Sequence, residues 1–290
     1  MLFSGRFGVM MDPTIILAVL AAAFLHAFWN FQVRGSTDKA LGLGAVMLGH
    51  IPLAVAGMVW AGLPPLSTWP FLLASSFLHL GYQIFLMNAY RFGELGQIYP
   101  IARGIAPLLI AVVGMLLLQT RFAPQEMVGV LLVSGGIIMH GIFQFIRTKT
   151  PLTGLGLAVV TGCFIASYSL VDGHGVPDAN NALGYYGMLT MLNGVPFAIY
   201  LRVFHPGVIS RIPTEGRNTV IFGGTASYIA YGLVLWACLS APIAVVSALR
   251  ETSVLFALFL GTVLLHEKFT LTKLAVTITI LAGVVTLRLA

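Results

Sequence analysis

The sequence predicts an all-α integral membrane protein with ten transmembrane helices, arranged as two inverted repeats of five. Three observations support this prediction: an apolar composition, regularly spaced apolar runs, and a likeness between the two halves of the chain. Hydrophobic residues make up 58% of the 290 residues and charged residues only 8%, and the mean hydropathy is +0.96. Because a soluble domain carries about 25% charged residues, we expect lipid to be the main solvent of this chain.

Ten apolar runs divide the chain, each long enough for the roughly 20 helical residues that cross a hydrocarbon core. Clusters of charged residues, glycine and proline separate the runs, and most of them have room only for a turn between antiparallel helices. The first run follows a segment without a cleavage motif, so we expect it to be retained, while Met10 or Met11 could equally be the initiator. The predicted spans are 13–33, 40–61, 68–90, 95–119, 124–146, 153–172, 182–203, 218–238, 242–265 and 270–288.

The two halves of the chain resemble each other. Laying Arg103 on Arg250 without a gap relates the fourth and fifth spans to the ninth and tenth, and a second match relates the first span to the sixth. The repeats are therefore predicted at 13–146 and 153–288. The supporting pairs are Gly114 with Gly261, Arg121 with Lys268, Phe122 with Phe269, Gly136 with Gly283, and Leu17-Ala18-Val19 with Leu157-Ala158-Val159.

Five crossings per repeat is an odd number, so the second repeat enters the membrane from the opposite face. Such inverted halves are typical of transporters, in which each repeat adopts in turn the conformation of the other. Lys and Arg are concentrated in the odd-numbered connections, which predicts that both termini lie outside the cytoplasm of a bacterial inner membrane. The basic residues of those connections are Arg34, Lys39, Arg147, Lys149, Arg202, Arg211, Arg217, Lys268 and Lys273.

Among the ionisable residues inside predicted spans, Arg103, Arg250 and Glu251 are the best candidates for a functional role. A charge near the bilayer centre costs about 2.5–3.5 kcal/mol on insertion scales, so it usually has a function. Two guanidinium groups near one carboxylate favour an anionic or zwitterionic solute, because each can bind a carboxylate or phosphonate through two parallel hydrogen bonds. The alternatives are an interfacial position or a purely structural ion-pair role for the arginines, and for Glu251 either a static ion pair or a group that couples transport to protons.

The first span contains a polar and aromatic cluster in otherwise aliphatic sequence. His26 and Asn30 are four residues apart and therefore share one helix face, and Trp29 directly precedes Asn30. These side chains either line a solute path or serve as packing and interface residues.

Tyrosines recur in the spans that would surround such a path. Each of them either bridges two helices through a hydrogen bond or contacts the solute. The candidates are Tyr82, Tyr99, Tyr168 and Tyr231.

Several kinds of function lack support in the sequence. No phosphate-binding loop, zinc protease motif or nucleophile elbow occurs, so neither an ATP-driven pump nor a common hydrolase is predicted. Cys163 and Cys238 lie within apolar runs without metal-binding spacing, and we predict no metal site, no cofactor and no disulfide. The net charge of +6 is spread over short connections, which indicates membrane topology rather than nucleic-acid binding.

At two places the sequence resembles the EamA-type, ten-helix branch of the drug/metabolite transporter superfamily. The matching stretches run from Tyr99-Pro100-Ile101-Ala102-Arg103-Gly104 to Arg121-Phe122, and from Ala248-Leu249-Arg250-Glu251-Thr252-Ser253 to Leu264-Leu265-His266-Glu267-Lys268. The resemblance implies two EamA repeats and alternating access around a cavity lined by spans one, three, four, six, eight and nine. On that basis Arg103, Arg250, Trp29 and Tyr82 lie on cavity helices.

Two departures from the family pattern affect the substrate. Many relatives carry a Trp-Gly pair in the first helix where this chain has His26 to Asn30, and the acidic first-helix residue of the small multidrug members is absent after Asp12. Export of cationic drugs by proton exchange is therefore disfavoured.

We therefore predict a secondary active transporter, an exporter, for a small anionic or zwitterionic metabolite such as an amino acid or an organophosphonate. The alternative is a flippase for a lipid headgroup or an isoprenoid phosphate, which would use the same arginines but requires a lateral opening. The expected partners are the solute, the lipid bilayer, and protons or an exchanged anion, with a homodimer left open. Enzymatic activity is not predicted.

Overall fold

The computed structural model describes residues 12–36, 38–93, 95–179, 181–264 and 270–289, and these residues form helices and connections without a strand. Met10, Met11 and the motif residues 265–269 lie outside the described residues. The helices are α1 Pro13–Gly35, α2 Lys39–Gly49, α3 Ile51–Ala61, α4 Trp69–Ala89, α5 Leu95–Leu116, α6 Pro124–Thr148, α7 Leu152–Gly175, α8 Ala182–Phe204, α9 Val208–Glu215, α10 Thr225–Ala237, α11 Ile243–Arg250, α12 Ser253–Leu264 and α13 Leu271–Arg288.

The predicted all-α membrane fold is confirmed, because the described residues contain ten helical stretches that are long and apolar enough to cross a membrane. Eight spans contain one α-helix each, whereas α2 and α3 together form the second span and α11 and α12 the ninth. Their outer faces are apolar: Trp60 and Leu271 expose 83% and 85% of their surface. Such side chains are suited to lipid, where only satisfied backbones such as helices can be exposed.

The sixth span extends beyond its predicted end. The sixth span was expected to end at 172, where a run of glycine, histidine and proline suggested a connection, but α7 continues to Gly175 and then tightens into a 3-10 turn, Val176–Asp178. This extension places Asp172 inside the span, where it is fully buried.

The second span crosses the eighth span at a very short distance between their backbones. A side chain added at Gly49 would overlap the carbonyl oxygen of Val220, and one added at Gly224 would lie 2.7 Å from the Cα atom of Gly49. The eighth span is wound as a π-helix over Thr219–Gly224, and such segments are rare and frequent at functional sites. The second span breaks beside this crossing, at His50 between α2 and α3.

The fifth and tenth spans pack against each other through a pair of glycines. A Cβ atom at Gly129 would lie 3.0 Å from the carbonyl oxygen of Gly283, and one at Gly283 would lie 2.9 Å from that of Gly129. Small residues permit this close contact, which is a common way to join helices in membranes.

The connection between the seventh and eighth spans, expected only as a break, contains the short helix α9. Its Arg211 Nη1 lies 2.9 Å from Asp38 Oδ2, and its Nη2 lies 2.7 Å from Glu215 Oε2. Asp38 also caps α2, because its Oδ1 accepts from the backbone nitrogens of Ala40 and Leu41. The connections after the first and seventh spans therefore meet at one face, as an alternating path through a membrane requires.

Electrostatics tie this surface cluster together. Burial acts to raise the pKa of the Asp38 carboxyl, but the hydrogen bonds from Leu41, Arg211 and Ala40 outweigh it, and the net pKa lies below its ordinary value. Arg211 lowers the pKa of Glu215 through their hydrogen bonds. Both carboxyl groups are thus held ionised by the arginine.

Candidate functional site

A cavity of about 80 Å³ lies among seven of the ten spans. One water molecule needs about 10–15 Å³ of such volume, so the cavity has room for about six waters or a solute of similar size. The first, second, third, sixth, seventh, eighth and ninth spans contribute its lining. Among the described residues, the fourth, fifth and tenth spans contribute none. The second and seventh spans thus line the cavity although the family resemblance did not imply it, and the fourth lies behind its wall.

The cavity combines an aromatic wall with polar atoms that lack protein partners. Buried polar atoms are normally hydrogen-bonded, and each exception needs an explanation such as a bound ligand or water. Within the described part of the chain, the unpartnered atoms on lining residues are His26 Nε2, His50 Nε2, Gln83 Oε1, Thr190 Oγ1, Asn193 Oδ1, and Nε and Nη2 of Arg250. A small polar solute with both donors and acceptors would satisfy them.

Arg250 is the charged residue of the cavity lining. It is the last residue of α11, where the negative end of the helix dipole favours a cation. A two-residue turn then separates α11 from α12, and Thr252 Oγ1 caps it by donating to the carbonyl oxygen of Leu249 at 2.8 Å. Arg250 therefore ends α11 at the wall of the cavity, although only 3% of its surface is exposed.

Glu251 is held mainly by the other arginine. Arg103 Nε lies 2.9 Å from Glu251 Oε2, whereas Arg250 Nε lies 4.0 Å from Glu251 Oε1. Both Arg103 and Glu251 are buried, and the guanidinium carbon of Arg103 lies 5.6 Å from the centre of the Tyr99 ring. Of the two roles that the sequence left open for Glu251, the described contacts correspond to the ion pair. Arg250 is consequently the arginine with unused donors beside the cavity.

Stacked and edge-on rings form one side of the cavity. The His79 and Tyr168 rings stack with centroids 3.9 Å apart, and Tyr231 contacts both rings edge-on. The Tyr186 and Tyr228 rings stack at 4.5 Å, with His50 against Tyr228. These contacts make the wall rigid, which suits a site that must be held open.

The polar cluster of the first span is only partly directed toward the cavity. His26 and Trp29 line it, and Trp29 Nε1 donates to His26 Nδ1 at 3.2 Å. Asn30 instead donates its amide to the carbonyl oxygen of His26 at 2.7 Å, within its own helix. The Asn30 side chain is therefore hydrogen-bonded within α1.

The structure divides the ten predicted site residues into two groups. One group lines the cavity: His26, Trp29, Tyr82, Tyr168, Tyr231 and Arg250. Arg103, Glu251, Tyr99 and Asn30 lie behind its wall, where the first three form the buried ionic cluster.

Sequence reasoning missed two features of the site. Asp172, at the predicted end of the sixth span, was not named as a candidate, but it is buried in that span and accepts hydrogen bonds from Tyr185 at 3.1 Å and Tyr231 at 2.5 Å. His50 and His79 were not among the candidates either, and both line the cavity. The described residues contain no group of three or more histidine, cysteine, aspartate or glutamate side chains arranged to hold a metal.

Comparisons with known proteins identify the second half of the chain. Residues 152–289 match the model of the EamA-like transporter family, which corresponds to the second predicted repeat. No curated protein sequence matches the chain. One solved structure, described only as the crystal structure of a protein, covers 94% of this chain and 96% of its own with a TM-score of 0.77 and 15% sequence identity. At that identity the likeness shows a shared fold.

Proposed function

We propose that this chain, whose residues 152–289 match the model of the EamA-like transporter family, is a secondary active exporter of a small anionic or zwitterionic metabolite. In this proposal the repeats 13–146 and 153–288 exchange conformations around the cavity, which opens to either face of a bacterial inner membrane in turn. The termini lie outside the cytoplasm. Export, rather than import, rests on the family resemblance.

The observation that carries the substrate class is the guanidinium of Arg250 in the cavity wall, two of whose nitrogens make no hydrogen bond among the described residues. A buried cation without a full partner is costly, and Arg250 Nε and Nη2 have no acceptor among the described residues. A carboxylate or phosphonate would accept from both nitrogens through the bidentate geometry that guanidinium groups favour. Anion binding therefore compensates a cost that the empty site carries.

The remaining candidate residues have supporting roles. Arg103 and Glu251 form a buried pair behind the cavity and fix the turn that ends α11, which orients Arg250. The side walls around the solute are formed by Trp29, Tyr82, Tyr168 and Tyr231. Thr190 and Asn193 offer hydrogen-bonding oxygens to the same space, and these would receive the ammonium group of a zwitterion such as an amino acid.

Thermal stability of the purified protein tests this proposal. The panel contains small amino acids, organic acids, phosphonates, isoprenoid phosphates and organic cations, because a ligand at 100 times its Kd stabilises the native state by about 2.7 kcal/mol. We expect a small anion or zwitterion to raise the melting temperature. In Arg250→Gln the same ligand should bind about 10-fold to 100-fold more weakly, since hydrogen bonds to charged groups contribute about 1.5–3 kcal/mol.

Arg217→Gln is the matched control, because it removes the same charge from an exposed position between α9 and the eighth span. It should leave the ligand effect unchanged. Stabilisation that persists in Arg250→Gln, or that only cations produce, contradicts the proposed substrate class. Stabilisation by isoprenoid phosphates alone would favour a flippase.

A further inference from the structure

Asp172 is a buried acid to which the proposed solute site assigns no role. It is fully buried in the sixth span, and its oxygens accept from two phenols, Tyr185 on the seventh span and Tyr231 on the eighth. No Lys or Arg nitrogen among the described residues lies within 4.0 Å of it, in contrast to Glu251. A buried carboxylate paired with a guanidinium keeps its charge, whereas one with only neutral donors is the kind of group that exchanges a proton.

Tyr231 connects this acid to the cavity. Its hydroxyl lies 2.5 Å from Asp172 Oδ2, while its side chain lines the cavity together with Arg250. Its ring also contacts the rings of Tyr186 at 5.2 Å and His79 at 5.5 Å. A solute that displaces or polarises Tyr231 therefore changes the hydrogen bonding of Asp172.

Other titratable groups surround Asp172 on the packed elements. His79, on the third span, could also take up a proton, and its Nδ1 lies 3.0 Å from the carbonyl oxygen and 3.1 Å from the hydroxyl oxygen of Ser75. Arg103, on the fourth span, is paired with Glu251. The neighbours by span are His79 and Tyr82 on the third, Tyr168 on the sixth, Tyr185 and Tyr186 on the seventh, Tyr231 and Cys238 on the eighth, and Arg250 on the ninth.

The net charge of the buried groups depends on whether Asp172 is ionised. Arg103 balances Glu251, and an ionised Asp172 balances Arg250, so these four buried groups sum to zero. An anion bound at Arg250 adds one negative charge to a region of low dielectric constant, where uncompensated charge is costly. One proton on Asp172 removes that excess.

We propose that Asp172 is the proton-binding site of the transporter and that Tyr231 transmits its protonation state to the cavity. A proton occupies Asp172 when an anion is bound at Arg250. A hydronium ion supplies the proton: one of its O–H bonds breaks, it becomes water, and a new O–H bond forms on one carboxylate oxygen. The neutral acid then donates to the Tyr231 oxygen, and the phenolic hydrogen turns toward the cavity. The link to an anion rests on the proposed function, whereas protonation of Asp172 does not.

Infrared difference spectra of the purified full-length protein during a pH titration test the proton site directly. The C=O stretch of a protonated carboxylic acid should appear as the pH falls and should be missing in Asp172→Asn. Asp178→Asn, which changes an exposed aspartate just beyond the same helix, should leave the band unchanged. In Tyr231→Phe, which removes a donor to the carboxylate, the band should persist to higher pH. A band that Asp172→Asn and Tyr231→Phe both leave unchanged overturns the proton site.

The link to the solute is tested by repeating the titration with L-lactate and with L-alanine, an isosteric pair in which only lactate has a net charge. With lactate the midpoint should move by about one pH unit to higher pH, given interactions of charges at an effective dielectric constant of about 20. L-alanine should move it little, and Arg250→Gln should abolish the lactate effect. An equal shift with both ligands, or a lactate shift that survives in Arg250→Gln, contradicts the coupling.

The two proposals fail differently. If lactate and alanine leave the melting temperature unchanged while the Asp172 band titrates and responds to Tyr231→Phe, the proton site stands and the solute assignment falls. If a ligand stabilises the protein through Arg250 but the band is absent, the transporter proposal stands and the proton site is wrong. If His79→Gln shifts the midpoint of the carboxylic acid band as far as Tyr231→Phe does, His79 takes the role proposed for Tyr231.

Discussion

At the residue scale, the two buried arginines have different environments. Arg103 Nε lies 2.9 Å from Glu251 Oε2 and Arg103 Nη2 lacks an acceptor among the described residues, whereas Arg250 keeps two such nitrogens and has no carboxylate oxygen closer than 4.0 Å there. Removing one member of a buried ion pair leaves an isolated charge and costs about 3–5 kcal/mol, while replacing both members together is often nearly neutral. The same kind of substitution should therefore affect stability at one arginine and ligand binding at the other.

We expect Arg103→Gln to lower the free energy of unfolding by about 3–5 kcal/mol, because Glu251 loses its main partner. The double variant Arg103→Gln with Glu251→Gln should recover most of that loss. Unfolding in detergent, monitored by helical circular dichroism, provides the comparison. Independent, additive losses in the double variant would show that the two residues do not act as a pair.

Individual residues were predictable from the sequence where cost alone identified them. Arg103, Arg250 and Glu251 are expensive inside a span whatever their partners. Asp172 escaped notice because Gly173, His174, Gly175 and Pro177 follow it and imitate a connection. The contact of Asp172 with Tyr231, 59 residues further along the chain, depends on tertiary packing that no local pattern encodes.

At the element scale, the crossing of the second and eighth spans depends on glycine. A methyl group at Gly49 has no space, since the backbone of Val220 occupies its position. The sequence predicted both spans but neither the break at His50 nor the π-helix beside it, because both come from contact between helices.

We expect Gly49→Ala to destabilise the protein by about 1–3 kcal/mol, the usual cost of overpacking, or to misalign the cavity. Gly135→Ala is the control, since a Cβ atom there meets nothing within 4 Å and alanine favours the helix. Melting temperatures of both variants decide the matter. Equal effects at the two glycines would mean that the crossing tolerates separation.

The short helix α9 provides a pH-dependent contact outside the membrane. Because the pKa values of Asp38 and Glu215 lie below their ordinary values in the folded protein, their contribution is fully present above about pH 4–5 and is lost as the pH falls through the lowered values. Asp38→Asn keeps a capping side chain but loses the charge facing Arg211, whereas Asp38→Ala loses both.

We therefore expect Asp38→Ala to lower the melting temperature more than Asp38→Asn at pH 7, because an N-cap residue contributes about 1 kcal/mol. As the pH falls through the lowered pKa of its own carboxyl, the wild type should lose its advantage over Asp38→Asn. Melting curves from pH 7 down to about pH 2 measure this. A constant difference between wild type and Asp38→Asn over that range would contradict a role for the ion pair.

At the scale of the whole molecule, the cavity of about 80 Å³ lies among seven of the ten spans and draws on both predicted repeats. Length and hydropathy sufficed to predict the spans, and the internal repeat indicated two halves. The participation of the second and seventh spans in the cavity was not predictable, because it depends on how the halves pack together.

The predicted orientation can be checked by labelling. After both native cysteines are replaced, Ser210→Cys on α9 and Ser240→Cys in the connection after the eighth span should react with a membrane-impermeant maleimide from opposite faces. The distribution of Lys and Arg predicts cytoplasmic labelling for position 210 and external labelling for position 240. The reverse pattern would invert the proposed orientation while leaving the fold intact.

The proposed role of Arg250 is to bind the transported solute. Exchange of labelled solute across a proteoliposome membrane measures this role. Proteoliposomes preloaded with the small anion or zwitterion that stabilises the protein most should take up the same labelled compound. We expect exchange by the wild type and by Arg217→Gln. In Arg250→Gln, exchange at subsaturating ligand should be at least about 10-fold slower. Exchange by Arg250→Gln at the wild-type rate, across the whole range of ligand concentration, would contradict this role.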